Sequence, residues 1–102
     1  MVKFIEMTKL DIVNKVSKMT GLSKVETELV LEGIIMTIKV SLSKGQRVDI
    51  RGLGSFVVKE RNAREARNPA TNERFILDKQ YIPSFKVSKL LKEYVDSSIK
   101  SI

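Results

Sequence analysis

Hydrophobic and polar positions follow a helical period in the first part of the 102-residue chain. From about Thr8 to Met19, and from Ser23 to about Ser43, apolar residues recur every three or four positions, which is typical of a helix with one buried face. Each segment opens with a hydroxyl residue followed three positions later by an acid, and Gly21 lies between the segments. Because such capping boxes begin helices and such a glycine ends one, the pattern predicts two helices joined by a tight turn.

The second predicted helix has more apolar surface than a small monomer can cover. Leu31, Ile35, Ile38 and Leu42 form one continuous stripe at spacings of four and three. Further apolar residues occupy much of the remaining circumference, namely Val25, Leu29, Val30, Ile34, Met36 and Val40. A partner chain would bury such a helix on several sides, so we expect a symmetric homodimer with an interlocked core. The alternative is a well-packed monomer built around a central helix.

Beyond the second helix the hydrophobic period becomes that of β-strands. Val48 and Ile50 alternate with charged neighbours, and Phe56 and Val58 share one face of a following stretch. The segment Gly52-Leu53-Gly54 separates the two stretches, which together predict a β-hairpin.

The last part of the chain returns to apolar residues at Tyr81-Ile82-Pro83-Ser84-Phe85. Pro83 lacks an N–H group and therefore favours an edge strand, and Phe85 is expected in the core. Ser88 has the chemistry of a helix cap and precedes apolar residues at helical spacing, from Leu90 to Ile99, so we predict a C-terminal helix.

The segment between Lys59 and Ala70 is poor in apolar residues and rich in charge, and strand character resumes at Arg74-Phe75-Ile76-Leu77. A flexible loop would explain this pattern, and so would a two-stranded arm that is polar on both faces because no core lies beneath it. The cations of this region are Lys59, Arg61, Arg64, Arg67, Arg74 and Lys79. Guanidinium groups suit a narrow minor groove, although a charge run is more often a solvated face.

Composition limits the function classes. Lys and Arg number 19 against 12 Asp and Glu, a net charge of +7, which favours nucleic acid or an anionic membrane as partner. No apolar run reaches the roughly 20 residues of a membrane span, and no secretory pattern opens the chain, so we expect a cytoplasmic protein. With no Cys and no His, the usual thiol, zinc and imidazole chemistries are excluded. We therefore expect no metal, cofactor, small-molecule substrate or enzymatic activity.

The sequence Arg67-Asn68-Pro69 lies where two arm strands must reverse. Asn-Pro is ordinarily a turn starter, and local turn chemistry alone would account for it. At an exposed tip, however, the rigid apolar ring of Pro69 suits insertion between stacked base pairs. Asn68 could then offer hydrogen bonds to minor-groove acceptors, with Arg67 supplying charge beside the wedge.

Two motifs resemble those of the HU/IHF family of bacterial DNA-bending proteins. Gly52-Leu53-Gly54-Ser55-Phe56 is similar to the family's Gly-Phe-Gly-Thr/Ser-Phe turn, and the segment from Arg67 to Asn72 is similar to its Arg-Asn-Pro-x-Thr-Gly arm tip. The resemblance extends from about Met7 to Leu91 or beyond. Departures are Leu53 in place of an aromatic residue, Ala66 and Asn72 in place of glycines, and Val87 in place of Pro or Ser. Asn tolerates a left-handed backbone, so the tip turn remains feasible.

The resemblance implies an α+β fold in an intertwined dimer, with two N-terminal helices, a three-stranded antiparallel sheet extended into a β-ribbon arm, and a C-terminal helix. The single domain of residues 1–102 would comprise an N-terminal extension (1–6), a helical dimerisation part (7–43), sheet and arm (46–87, with the arm at about 59–80) and the C-terminal helix and tail (88–102).

The resemblance also implies an architectural, histone-like function: binding double-stranded DNA with little sequence specificity, bending it through intercalation of Pro69, and residing at the nucleoid. The arm residues it implies are Lys59, Arg61, Arg64, Arg67, Asn68, Pro69, Arg74 and Lys79. The phosphate-contacting body residues are Gly52, Gly54, Ser55, Lys9, Lys86, Ser88 and Lys89, with Thr8 added because it opens a helix whose unpaired amides favour anions. The alternatives are a site-specific bending factor like IHF, an RNA-binding protein or a protein-interaction module.

Overall fold

The computed structural model describes residues 5–102, within which the chain forms three helices and five strands. The expected N-terminal extension is therefore described only at Ile5 and Glu6, and Met1–Phe4 lie outside the described residues. In chain order the elements are α1 (Lys9–Thr20), α2 (Lys24–Ser43), β1 (Val48–Ile50), β2 (Gly54–Arg61), β3 (Arg64–Arg67), β4 (Arg74–Leu77), β5 (Gln80–Val87) and α3 (Lys89–Lys100).

Both predicted capping boxes are present at the helix starts. The Thr8 hydroxyl accepts a hydrogen bond from the Asp11 N–H at the start of α1, and the Ser23 hydroxyl accepts one from the Glu26 N–H at the start of α2. Gly21 ends α1 in the left-handed conformation, with φ of 79°, and its N–H donates to the Ser17 carbonyl at 3.0 Å. Local chemistry alone thus determines where the first two helices begin and where α1 ends.

The apolar stripe of α2 is its partly covered side. Leu31, Ile35, Ile38 and Leu42 are half-buried against the rest of the chain. The other apolar side chains of the helix remain between 43% and 70% exposed, and they are Val25, Leu29, Val30, Ile34, Met36 and Val40. Among the described residues, Val13 is the one buried hydrophobic side chain. A single chain therefore does not form the well-packed monomer that was the alternative expectation.

The predicted hairpin and returning strand form a three-stranded antiparallel sheet in the order β1-β2-β5. Pro83 lies on β5, which is an edge strand of this sheet as predicted, and it pairs with Val58. Phe85 packs against Phe56 with ring centroids 4.9 Å apart, yet it is still 42% exposed, so its predicted core position is incomplete within one chain.

The polar segment after β2 forms a two-stranded arm and not a flexible loop, because β3 and β4 pair as a separate antiparallel ladder. Arg61 pairs with Gln80 at the end of the body ladder, and Arg64 pairs with Leu77 at the start of the arm ladder. Two residues intervene on each strand, Asn62-Ala63 and Asp78-Lys79, and we call these four residues the ladder gap. Because the gap is equally long on both strands, it carries no bulge and the register continues unchanged into the arm.

The overall dimensions are those of an open chain. The radius of gyration is 19.2 Å, whereas a compact domain of about 100 residues has roughly 13 Å. The chain exposes 8933 Å², against roughly 5,800 Å² for a compact monomer of its mass. The projecting arm and the exposed apolar side of α2 both contribute to this excess.

Candidate nucleic-acid interface

The tip of the arm is a tight turn that holds Pro69 at the surface. The Asn68 N–H donates to the Glu73 carbonyl at 2.8 Å, and the Asn72 N–H donates to the Asn68 carbonyl at 2.7 Å. The side-chain oxygen of Asn68 accepts a hydrogen bond from the Ala70 N–H at 2.9 Å, an Asx turn around the proline. Asn72 has a φ of 62°, the left-handed conformation that this position was predicted to tolerate. The turn thus presents an exposed Pro69 on a backbone fixed from both sides.

Most of the predicted cations of the arm and the sheet share one face of the ribbon. Residues paired across antiparallel strands lie on the same face, and faces alternate along each strand. Ser55 pairs with Lys86 in the body, and Arg67 pairs with Arg74 near the tip. Because the register is unchanged across the ladder gap, this face also includes Lys59 and Arg61 between them. We call Lys86, Lys59, Arg61, Arg67 and Arg74 the cationic row.

Two positively charged side chains lie next to each other at the tip end of the cationic row. Arg67 and Arg74 are direct cross-strand partners, an arrangement that is destabilising unless an anion lies between or beside them. Glu65 supplies one anion, since its carboxylate lies 3.6 Å from the Arg74 guanidinium. One carboxylate beside two guanidinium groups leaves net positive charge next to Pro69. Arg64, which pairs with Leu77, lies on the opposite face of the ribbon.

A second group of predicted residues meets where the sheet approaches α3. An open cleft of about 480 Å³ is lined by five of the predicted body residues, Gly52, Gly54, Ser55, Lys86 and Ser88. The Ser88 hydroxyl donates to the Gly52 carbonyl at 3.0 Å and accepts a hydrogen bond from the Leu91 N–H at 3.1 Å. Ser88 therefore caps α3 and fixes that helix to the turn between β1 and β2.

Gly54 is required by this packing. Its φ of 157° is uncommon for residues with a side chain, and an added Cβ would lie 2.6 Å from the Phe85 ring. The glycine thus allows the turn to lie directly against β5. Gly52, with a φ of 85°, adopts a conformation that glycine favours, although space around it is open.

Three charged residues of this cleft were not among the predicted site residues, namely Arg47, Asp49 and Arg51. The Arg47 Nε donates to the Asp49 carboxylate at 2.8 Å, and the Arg47 Nη2 donates to the Ser55 hydroxyl at 3.2 Å. The Ser55 hydroxyl in turn donates to Asp49. This hydroxyl and the Arg47 guanidinium hold the pKa of Asp49 below its ordinary value of 3.8. The spacing of opposite charges two positions apart beside a predicted strand was the available signal.

The remaining predicted body residues lie outside this cleft. Lys9 forms an ion pair with Glu32 and so joins α1 to α2. Thr8 is engaged with Asp11, whose pKa is lowered mainly by the hydrogen bond from the Thr8 N–H. Lys89 is exposed, 3.9 Å from the Glu93 carboxylate. These three residues therefore form no single group with the cleft.

The described part of the chain contains no cluster of three His, Cys, Asp or Glu residues suited to a metal ion. Across residues 5–102, none of the helices is both long and apolar enough to cross a membrane.

Comparisons with known proteins identify the family of this chain. Residues 7–96 match the sequence profile described as bacterial DNA-binding protein. DNA-binding protein HU from Thermotoga maritima is 39% identical over 87% of this chain and 99% of its own length. Integration host factor subunit beta from Marinobacter nauticus is 43% identical over 92% of this chain and 97% of its own.

A cocrystal structure of HU from Anabaena with DNA superimposes with a TM-score of 0.83. At 37% sequence identity, the match covers 87% of this chain and 97% of the Anabaena chain. The predicted resemblance and the α+β fold are confirmed, and the chain belongs to the bacterial DNA-binding protein family that includes HU and the integration host factor subunits.

Proposed function

We propose that two copies of this chain form a clamp that bends double-stranded DNA, with each arm in the minor groove and each Pro69 inserted between base pairs. The observation that carries this proposal is the cationic row, which leads along one face of the ribbon from the body to the exposed proline at the tip. The row binds the phosphate backbone, and the proline deforms the duplex.

The cationic row supplies affinity without reading the sequence. Each phosphate that a Lys or Arg neutralises releases counterions, so the affinity is mainly electrostatic and falls steeply with salt. Arg67 and Arg74, held opposite each other in the free arm, lose their mutual repulsion when phosphates lie alongside them. The minor groove presents nearly the same acceptors for every A·T pair, so any sequence preference comes from the deformability of the DNA.

The tip supplies the bend. The Asn68 side-chain oxygen is engaged with Ala70, so its NH2 group is the half of the amide that donates to minor-groove acceptors. Pro69 beside it enters a base step, which costs on the order of a few kcal/mol of stacking. Contacts between the bent duplex and the body offset this cost, with flanking phosphates in the cleft of Lys86 and Ser88. A nick already breaks the stack and should therefore favour binding.

The homodimer is supported by the surface that one chain leaves uncovered. Apolar side chains on most of the circumference of α2 are exposed in the protomer, and a symmetric partner buries them on both copies. Two arms, one from each copy, then place two wedges on one duplex. The family is defined by DNA binding, and the proposed role needs no chemical reaction, so we assign no enzymatic activity. We place the protein at the nucleoid in the cytoplasm, where a bacterial chromosome is bound.

Other functions have less support. A site-specific bending factor like integration host factor belongs to the same family, but the Lys and Arg side chains of the cationic row suit phosphates, and phosphate contacts carry no sequence information. An RNA-binding protein would be expected to group exposed aromatic side chains for stacking on unpaired bases, whereas the exposed Phe75, Tyr81 and Tyr94 lie on three separate elements, β4, β5 and α3. A purely protein-binding module would not need the cationic row.

The proposal is tested by binding and bending measured together. We expect tighter binding to a nicked duplex than to the same duplex intact. Fluorescence energy transfer across a labelled duplex should show a smaller bend for Pro69→Ala with much of the affinity kept, because the cationic row is intact. Ala70→Ser, one residue further along the tip, is the matched control and should retain the full bend. Equal affinity for the two duplexes, or a full bend with Pro69→Ala, would refute the wedge.

A further inference from the structure

Lys79 differs from the other cations of the arm because it lies in the ladder gap, where no strand pairing holds the ribbon together. Its ammonium group forms an ion pair with Glu60, which is on β2 just before the gap. The same ammonium lies 5.7 Å from the centroid of the Tyr81 ring, within range of a cation–π interaction. Glu60 and Tyr81 are themselves direct partners in the register, so all three side chains meet at the body end of the gap.

These contacts lie on the opposite face of the ribbon from the cationic row. Glu60 and Tyr81 alternate with Lys59 and Arg61 along the strands, and therefore point away from the row. A cation on this side, already neutralised by a carboxylate, adds little to a phosphate track on the other side. The hydrogen bond from Lys79 to Glu60 also raises the pKa of Lys79 above its ordinary value, in agreement with the geometry.

From this arrangement we propose that Glu60, Lys79 and Tyr81 form a clasp that sets the angle of the arm, so that Lys79 is a positioning residue for DNA bending and not a phosphate contact. The inference rests on the proposed function of the arm. The clasp joins β2 to the segment entering β5 at the point where the two ladders are separate. With the clasp closed, the cationic row runs in line from body to tip, and with it open the ladder gap is free to bend.

The first test measures the free protein. Hydrogen exchange of residues 62–80 is compared among the natural protein, Lys79→Gln, Glu60→Gln and the charge reversal Glu60→Lys with Lys79→Glu. Exposed ion pairs contribute modestly, so either single variant should accelerate exchange by about two- to fivefold. The charge reversal should restore at least half of the lost protection, which loss of a phosphate contact would not explain. Unchanged exchange in both single variants would overturn the clasp.

The second test separates the clasp from the proposed function. For each variant, the salt dependence of DNA affinity is measured together with the bend, and Arg61→Gln in the cationic row is the matched control. Arg61→Gln should lower the salt slope by about one, as loss of one phosphate contact does. Lys79→Gln should leave the slope unchanged and reduce the bend at saturation. A slope reduced in Lys79→Gln as much as in Arg61→Gln would make Lys79 a DNA contact, and no change in Arg61→Gln would refute the arm's role itself.

Discussion

Replacing Ile34 by alanine should weaken the dimer. Ile34 is 50% exposed in the protomer and lies on α2 next to the half-buried stripe formed by Leu31, Ile35 and Ile38. In a symmetric dimer, a partner that covers the exposed surface beside this stripe covers Ile34 on both copies. The exposed half of this side chain is buried only in the dimer, so its removal weakens association, whereas the covered half contributes to the fold of the protomer.

The magnitude follows from the exposed fraction. Full burial of an isoleucine side chain contributes about 1.5–3 kcal/mol, so burial of the exposed half contributes about 0.8–1.5 kcal/mol per copy. Two copies give about 1.5–3 kcal/mol, and a residual cavity adds to this. At about 1.4 kcal/mol for each factor of ten, the dimer dissociation constant should rise about 10- to 150-fold.

The assay is sedimentation equilibrium over a range of protein concentrations, supported by the concentration dependence of the thermal midpoint. Ile76→Ala is the matched control, because Ile76 is 75% exposed on the arm, away from α2. We expect the control to dimerise as the natural protein does. The reasoning is refuted if Ile34→Ala and Ile76→Ala have the same dissociation constant as the natural protein.

Two further predictions concern the cleft between the sheet and α3. Ser88→Ala should lower the free energy of unfolding by about 0.5–2 kcal/mol, because it removes the cap of α3 and the hydrogen bond to Gly52. Urea unfolding measures this loss, with Ser98→Ala as the control. An equal loss of stability in the two variants would contradict the prediction. The hydrogen bonds that Asp49 accepts from Ser55 and Arg47 lower its pKa in the folded protein, so its carboxylate stabilises the fold above its ordinary pKa of 3.8 and loses this effect as pH falls through the lowered value. The stability difference between the natural protein and Asp49→Asn should therefore be constant between about pH 7 and about pH 5 and shrink in more acid solution, whereas a difference independent of pH would rule out the charge of Asp49 as its cause.

Signals within a few residues of each other predicted the helices well. The hydroxyl and acid of each capping box stand three positions apart, and Gly21 needs only its own backbone to end α1. The excess of apolar residues on α2 likewise indicated surface that one chain leaves exposed. These features could be predicted because the interactions that produce them are local or follow one helical period.

The choice between loop and arm, by contrast, depended on pairing between distant parts of the chain. Polar residues on both faces of β3 and apolar residues on both faces of β4 give no alternation from which to predict a half-buried strand. The pairing of β3 with β4, the ion pair of Lys9 with Glu32 and the ion pair of Lys79 with Glu60 all join segments separated in sequence. Charge composition therefore predicted a basic arm, but not which of its cations share a face or which already have an acidic partner.

The equal length of the two sides of the ladder gap has a consequence for how arms of this kind can change in length. Side chains alternate between faces, so removing two residues from each strand shortens the ribbon by about 7 Å and keeps every cation on its original side. Removing one residue from each strand transfers the distal arginines, Arg67 and Arg74, to the other side while the body cations stay. Arm length should therefore be adjustable in steps of two residue pairs. A change by an odd number of pairs should place the cations of the tip and those of the body on opposite faces of the ribbon.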